Sequence, residues 1–218
     1  MLRDFGMGDF WFIVFAARWT ILLSLVAFVG GAFGGLILAL ARTSRVRALE
    51  WAASLFIQVF QGTPLLMQLF LVFFGAPVLG ININPWIAAA IALAFNTSAF
   101  LGEIWRGCIQ AVPRGQWEAA DALSLHYTDR MRFVVLPQAL KIALPPTVGY
   151  LVQVIKGTSL AAIIGFVELT RAGQVINNAT FEPLIVFGLV AGIYFILCWP
   201  LSLWSARLER RYAAALAR

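Results

Sequence analysis

The sequence predicts an all-α membrane protein, and three observations carry that prediction. Apolar residues make up 61% of the 218-residue chain and charged ones 12%, with a mean hydropathy of +0.87, which leaves too little polar surface for a soluble domain of this size. Apolar runs recur that reach the roughly 20 residues a helix needs to cross a bilayer. The basic residues gather on one side of those runs.

About five spans follow, at roughly 19–41, 51–74, 86–106, 141–165 and 183–206, in a single transmembrane domain covering residues 1–218. Ahead of the first, MLRDFGMGDFWFIVFAAR (1–18) is amphipathic. It is expected to lie along the outer membrane surface, anchored by Trp11 and the Phe residues. Span one carries Gly30, Gly31, Gly34 and Gly35. These two overlapping small-xxx-small pairs admit another helix at close range, either within the chain or across a subunit seam. Span two holds Gln61-Gly62-Thr63-Pro64. Pro64 removes a backbone donor and obstructs the preceding turn, so the helix is expected to break or kink there. Broken backbone at membrane depth requires protein or a water-filled cavity over it.

Ionisable and amide groups inside spans mark function, because lipid makes them costly. Span three offers Asn96, Glu103, Arg106 and Gln110 on one helical face. Glu103 and Arg106 are either a structural i,i+3 pair near the cytoplasmic end or part of a polar wall along a transport path. Span four offers Gln153, Lys156, Thr158 and Ser159. Lys156 either attracts a substrate carboxylate or neutralises Glu103. Thr63, beside the break, adds exposed backbone polar groups. Thr63, Asn96, Glu103, Lys156, Thr158 and Ser159 are therefore the candidate substrate-path residues. In GFVELTRAGQ, Glu168 and Arg171 form either an outer gate or receptor contact or a solvated surface pair.

Charge asymmetry gives the orientation. Arg42, Arg45 and Arg47 follow span one; Arg106, Arg114, Arg130, Arg132 and Lys141 follow span three; Arg207, Arg210, Arg211 and Arg218 follow span five. Only Arg3, Arg18 and Arg171 lie on the other side. The N-terminus is expected outside, with the C-terminus and the 107–140 insert in the cytoplasm. The net charge of +6 thus reflects topology; no basic face interleaved with stacking aromatics speaks for nucleic acid.

The insert between spans three and four reads as two short amphipathic helices. Trp117, Ala120 and Leu123/Ser124 share one face of the first, while Glu118, Asp121 and Ala122 turn away. The second carries Arg130, Phe133 and Val134 and is expected to end by Leu136, before Pro137. Pro145-Pro146 are expected to close the insert. Such a pair buries its apolar faces either on the chain's own spans or on a soluble partner.

Enzymatic chemistry finds no support. Cys108 and Cys198 lie apart, His126 is the sole histidine, and no CxxC, phosphate loop or nucleophile–base pair occurs. No basic n-region with a small-residue cleavage site precedes the first apolar run, so no cleavable signal peptide is expected. A secondary transporter or channel would require repeated halves or several intramembrane carboxylates, and a mere membrane anchor leaves the Asn96–Gln110 stripe unexplained.

The insert itself, GQWEAADALSLHYTDRMRFVVLPQALKIALPP (115–146), resembles the EAA loop of binding-protein-dependent ABC importer permeases. Glu118, Ala119, Ala120, Ala122 and Leu123 match its first part, and Leu136, Pro137, Gln138 and Ala139 its second. Segments 60–77, 96–120, 156–176 and 207–211 resemble the polar-amino-acid branch. The resemblance implies a type I ABC importer permease fold in the bacterial inner membrane. It implies that Gly115, Glu118, Ala119, Ala120, Ala122, Leu123 and Ser124 couple to a separate cytoplasmic ATPase. It implies a second permease subunit, an extracytoplasmic solute-binding protein and a small amino-acid-like substrate. ATP and Mg are implied on the ATPase, with no cofactor bound directly by this chain. Three positions depart from the family pattern: Ser124 replaces the usual Gly, Gln61 a common Arg, and Gly157 a common Asp.

Overall fold

The computed structural model describes residues 3–44 and 46–216, with side chains to Tyr212; Arg45 and Arg218, counted in the charge asymmetry, lie outside the described residues. The described residues form helices joined by short turns, with no strand among them.

Helix α1 runs unbroken over Met7–Arg42. Gly6 caps it, its N–H donating to Asp9 Oδ2 at 3.0 Å. Arg3 grips the same carboxylate through both oxygens, at 2.6 and 2.7 Å, a bidentate pair that fixes the start of the helix. The stretch expected along the outer membrane surface is not set off by a break: residues 7–18 are the first turns of the same unbroken helix as span one. At 36 residues α1 is about 54 Å long, well beyond the hydrocarbon thickness.

Helices α2 (Arg47–Gly62) and α3 (Leu65–Val78) are one apolar run bent by 102° at Thr63–Pro64, as Pro64 predicts. Helix α4 (Pro85–Gln110) starts at Asn84, whose Oδ1 accepts from the Ile87 N–H at 2.8 Å, with Pro85 in the first turn. Helix α5 (Arg114–Ala122) and the single turn α6 (Tyr127–Asp129) form the insert. A π-helical stretch, Arg130–Val135, then leads directly into α7 (Leu136–Gly157). The expected stop at Pro137 is corrected. Pro137 falls in the first turn of α7, where its missing N–H costs little, and the wider π turn ahead of it accommodates the ring. Pro145 and Pro146 also lie inside α7 rather than closing the insert. The Pro145 carbonyl accepts from Ser205 Oγ at 2.8 Å. A 3₁₀ turn, Thr158–Ala162, follows, then α8 (Leu169–Thr180) and α9 (Pro183–Leu216).

Among the described residues three helices are long and apolar enough to cross a bilayer: α1, α4 and Pro183–Tyr212 of α9. The bent α2–α3 pair makes a fourth if it is one span. The remaining expected span, 141–165, falls on α7 and the 3₁₀ turn, which Lys141, Lys156 and two internal prolines leave more polar.

The glycine stripe of α1 packs within the chain. A Cβ on Gly31 would stand 2.3 Å from Thr97 Cγ2, one on Gly34 2.3 Å from Ser98 Oγ, and one on Gly35 3.0 Å from Leu101 Cβ. Only hydrogen fits between α1 and α4, so of the two readings of the stripe the intrachain seam holds. The opposite face of α1 presents Val29, Phe33 and Ile37 outward, the face a bilayer would cover. Buried clusters follow from this frame, one of them Val152, Ile155 and Cys198 between α7 and α9. Leu23, Leu69, Leu93 and Val154 join α1, α3, α4 and α7. Ile13, Leu169, Ile176 and Val186 join α1, α8 and α9. Ile109, Val112, Met131 and Val135 seat the insert on the ends of α4 and α7.

Candidate functional site

The insert is anchored from inside. Arg130 is buried, ion-paired with Asp121, and its guanidinium lies 5.6 Å from the Trp117 ring and 5.9 Å from the Tyr127 ring. Tyr127 Oη donates to the Thr43 carbonyl at 2.6 Å, tying the insert to the end of α1. Self-packing thus accounts for Trp117, Ala120, Met131 and Val135. Exposed on α5 and the turn after it are Gly115, Glu118, Ala119, Ala122, Leu123 and Ser124, together with Arg114, Gln116 and Asp121. Leu123 is 74% exposed, so it does not share the inward face with Trp117 and Ala120 as the helical spacing suggested. The helix has ended by then, and the chain turns it outward. Ala120, grouped with the coupling residues, is 2% exposed and serves the insert's own packing.

The turn after α5 is left-handed. Ser124 has φ 54°; its N–H donates to the Asp121 carbonyl at 2.9 Å, and the Leu125 N–H to that of Ala120 at 3.2 Å. This is a Schellman closure, in which glycine is the usual left-handed residue. Ser124→Gly is therefore expected to stabilise the purified chain by about 1 kcal/mol in thermal unfolding. Lost transport in a variant so stabilised would assign the hydroxyl its own contact.

The polar stripe of α4 divides into two parts. At its C-terminal end Arg106 bridges neighbours: its Nε donates to Glu103 Oε2 at 2.8 Å and it also bonds Gln110 Oε1. Glu103 is thus paired with Arg106 and not with Lys156. Deeper in the bundle Asn96 is 8% exposed. Its Nδ2 donates to Gln68 Oε1 at 3.1 Å, and its Oδ1 accepts from Tyr150 Oη at 3.3 Å. Gln68, absent from the sequence-derived candidates, in turn bonds the Thr63 hydroxyl at 2.9 Å. Its signal is a lone amide in an apolar run four residues after a proline.

Lys156 is exposed near the end of α7 and makes no ion pair among the described residues. Thr158 is buried, its hydroxyl donating to the Ile155 carbonyl at 2.7 Å; Ser159 donates to the Lys156 carbonyl at 2.7 Å. Both hydroxyls close the end of α7. A Cβ on Gly157 would lie 3.3 Å from Leu65 Cδ2 and 3.5 Å from Leu93 Cδ2, beside the α2–α3 bend. Gln61, the third departure, directs its Nε2 to the Ala99 carbonyl at 3.4 Å. Structure therefore brings Thr63 and Asn96 together through Gln68, groups Lys156 with Thr158 and Ser159, and leaves Glu103 near the C-terminal end of α4.

Glu168 is not part of a solvated pair. It is fully buried and caps α8, accepting from the Arg171 N–H at 2.9 Å and from Tyr194 Oη at 2.8 Å, while the Arg171 side chain turns to Gln174 at 3.2 Å. No group of three or more His, Cys, Asp or Glu residues that could hold a metal occurs among the described residues.

Known proteins share this architecture. A probable amino-acid ABC transporter permease, YckA of Bacillus subtilis, is 38% identical over 95% of this chain and 92% of its own length. The L-cystine transport system permease TcyB of the same organism is 37% identical over 99% and 93%. The glutamine transport system permease GlnP of Escherichia coli is 36% identical over 91% and 92%. A crystal structure of an amino acid ABC transporter with histidines superposes with a TM-score of 0.87 at 36% identity, covering 92% of this chain and 94% of that one. The MetNI methionine ABC transporter in an inward-facing conformation shares the fold at a TM-score of 0.74 and 20% identity, over 95% and 99%. The fold is that of a type I ABC importer permease, a translocation subunit whose ATP hydrolysis resides on a separate chain. Residues 31–214 match the model of the binding-protein-dependent transport system inner membrane components, and the chain belongs to that family.

Proposed function

We propose that this chain forms the membrane path of an importer for polar amino acids. It would be one five-pass domain spanning residues 1–218, with its N-terminus outside and its C-terminus in the cytoplasm. The observation that carries the reading is the exposed strip Gly115, Glu118, Ala119, Ala122, Leu123 and Ser124 on an insert whose other face is fixed to α1, α4 and α7. An internally braced element with an outward acidic and small-residue ridge suits docking into a cleft of an ATPase. Closure of two ATPases would then push the insert, and α7 continuous with it, so that the bundle passes between inward- and outward-facing states. ATP and Mg belong to that partner, and none is assigned to this chain. The second permease and the extracytoplasmic solute-binding protein complete the assembly. Reconstitution with the partner ATPase and binding protein, with uptake measured across an amino-acid panel, tests the reading; absence of ATP-dependent uptake of any amino acid would overturn it.

The exposed Lys156, unpaired with Glu103, supplies a cation beside the bend, while Gly157 supplies no anion. That balance favours solutes bearing a carboxylate, neutral or acidic, over dibasic ones. Lys156→Gln is expected to reduce uptake of such solutes with the binding protein unchanged, and Gly157→Asp to shift preference toward cationic ones. Normal uptake by Lys156→Gln alongside loss in Glu103→Gln would transfer the role to Glu103.

A further inference from the structure

The break at Thr63–Pro64 has an internal replacement for what it loses. Pro64 carries no N–H, so the Phe60 carbonyl, four residues earlier, has no helical donor. The Thr63 carbonyl is left over where α2 stops. The side-chain amide of Gln68 reaches both. Its Nε2 lies 2.8 Å from Phe60 O, 3.0 Å from Thr63 O and 2.9 Å from Thr63 Oγ1, with the Thr63 hydroxyl itself donating to Val59 O at 2.8 Å. Two amide hydrogens serve three acceptors, so one bond is shared.

The direction of the chain beyond Gln68 is then forced. Its nitrogen faces carbonyls, so its oxygen must face Asn96, which has to present Nδ2; the Asn96 oxygen is left for a donor, and Tyr150 Oη supplies it. Gln68 and Asn96 are 5% and 8% exposed, so solvent offers no substitute partners, and a buried network of this kind holds one arrangement. Tyr150 sits on α7, the helix that the insert enters without a break through Arg130–Val135.

We propose that Gln68 is the positioning residue of the α2–α3 bend, and that the Tyr150–Asn96–Gln68 chain makes the bend follow α7. This rests on the reading of the insert as the ATPase-docking element. When α7 shifts, the Tyr150 hydroxyl carries the Asn96 amide with it, and Gln68 transmits the shift to the carbonyls at the broken turn beside Thr63. Without the chain α7 would move past a bend that stays where it is, and ATP hydrolysis would proceed without matched transport.

The test is solute moved per ATP hydrolysed in proteoliposomes containing the chain with its ATPase and binding protein, at equal amounts of assembled complex. Tyr150→Phe removes one hydroxyl and is expected to lower that ratio several-fold, with assembly and basal ATP hydrolysis unchanged. Gln68→Leu is expected to lower it further. Tyr150→Phe combined with Asn96→Leu should be no worse than Asn96→Leu alone, since one chain is being cut twice. If Gln68→Leu fails to accumulate, Tyr150→Phe still decides. A wild-type ratio in Tyr150→Phe, or additive losses in the double variant, overturns the inference. Wild-type complex without ATP-driven uptake would instead sink the proposed transport function itself.

Discussion

Glu118→Lys is expected to leave the chain in the membrane at normal levels and to abolish its partnership with the ATPase. The two halves of that expectation have separate grounds. Glu118 is exposed on α5, outside the cluster of Ile109, Val112, Met131 and Val135 that seats the insert, and it makes no ion pair or hydrogen bond with the neighbouring insert residues that do the anchoring. Reversing its charge therefore removes nothing the fold uses. In a docked cleft the same change places a cation where the partner is arranged for an anion. Disrupting a charge pair buried at an interface costs roughly 2–5 kcal/mol, about thirtyfold or more in affinity. Co-purification of the ATPase and uptake are both expected to fall to background. Wild-type levels of both would show that the exposed ridge of α5 is not the docking surface. Asp121→Lys makes a useful contrast: Asp121 pairs with the buried Arg130, so that change should damage the insert's own folding as well.

Much of this architecture is legible in the residues, and the misses have specific causes. Hydropathy locates α1, α4 and α9, because lipid-facing helices must be apolar over most of their surface. Pro64 announces the bend, and the positive φ of Ser124 sits where the loop resemblance asks for glycine. The prolines at 137, 145 and 146 mislead. A missing N–H shows which bond is lost, but a first-turn position or a π-helical turn upstream lets the helix continue. Gln68 is illegible for the complementary reason: the carbonyls it serves are orphaned by a residue four positions earlier, and its own oxygen is answered by Asn96 on another helix. Leu123 departs from the expected inward face because helical spacing holds only to the end of α5, one residue before it. The reading of Glu168 and Arg171 as a solvated surface pair fails because the partners of Glu168, Thr20 and Tyr194, stand 148 and 26 residues away. Periodicity along α8 contains no trace of them.

Glu168 accordingly carries the second large expectation. Its Oε1 caps α8 by accepting from the Arg171 N–H, and its Oε2 accepts from Tyr194 Oη at 2.8 Å and from Thr20 Oγ1 at 3.4 Å. Thr20 Oγ1 in turn accepts from the Leu169 N–H at 3.1 Å, and Tyr194 Oη lies 3.1 Å from Thr170 Oγ1. One buried carboxylate thus joins α1, α8 and α9 just beyond Gly165, whose φ of 88° turns the chain toward α8. Burial pushes the carboxyl up, while the Thr170 and Arg171 N–H groups and the Tyr194 and Thr20 hydroxyls oppose the shift. Glu168→Leu keeps the volume and removes every acceptor. Loss of the cap costs about 1 kcal/mol, and a buried hydroxyl left without its acceptor about 1–3 kcal/mol. Together these give a destabilisation of roughly 2–4 kcal/mol, measured by thermal unfolding of the detergent-purified chain. Glu168→Gln separates shape from charge. Its carbonyl oxygen can still cap Arg171, and its amide can donate to Tyr194 if that hydroxyl turns to donate to Thr170, a reversal the 3.1 Å contact allows. The glutamine variant keeps the cap and the Tyr194 contact and gives up the 3.4 Å bond from the Thr20 hydroxyl, so it is expected to lose about 1 kcal/mol, less than the leucine variant. If Glu168→Gln unfolds as readily as Glu168→Leu, the joint of α1, α8 and α9 depends on the carboxylate's charge, and its acceptors do not hold α8 in place.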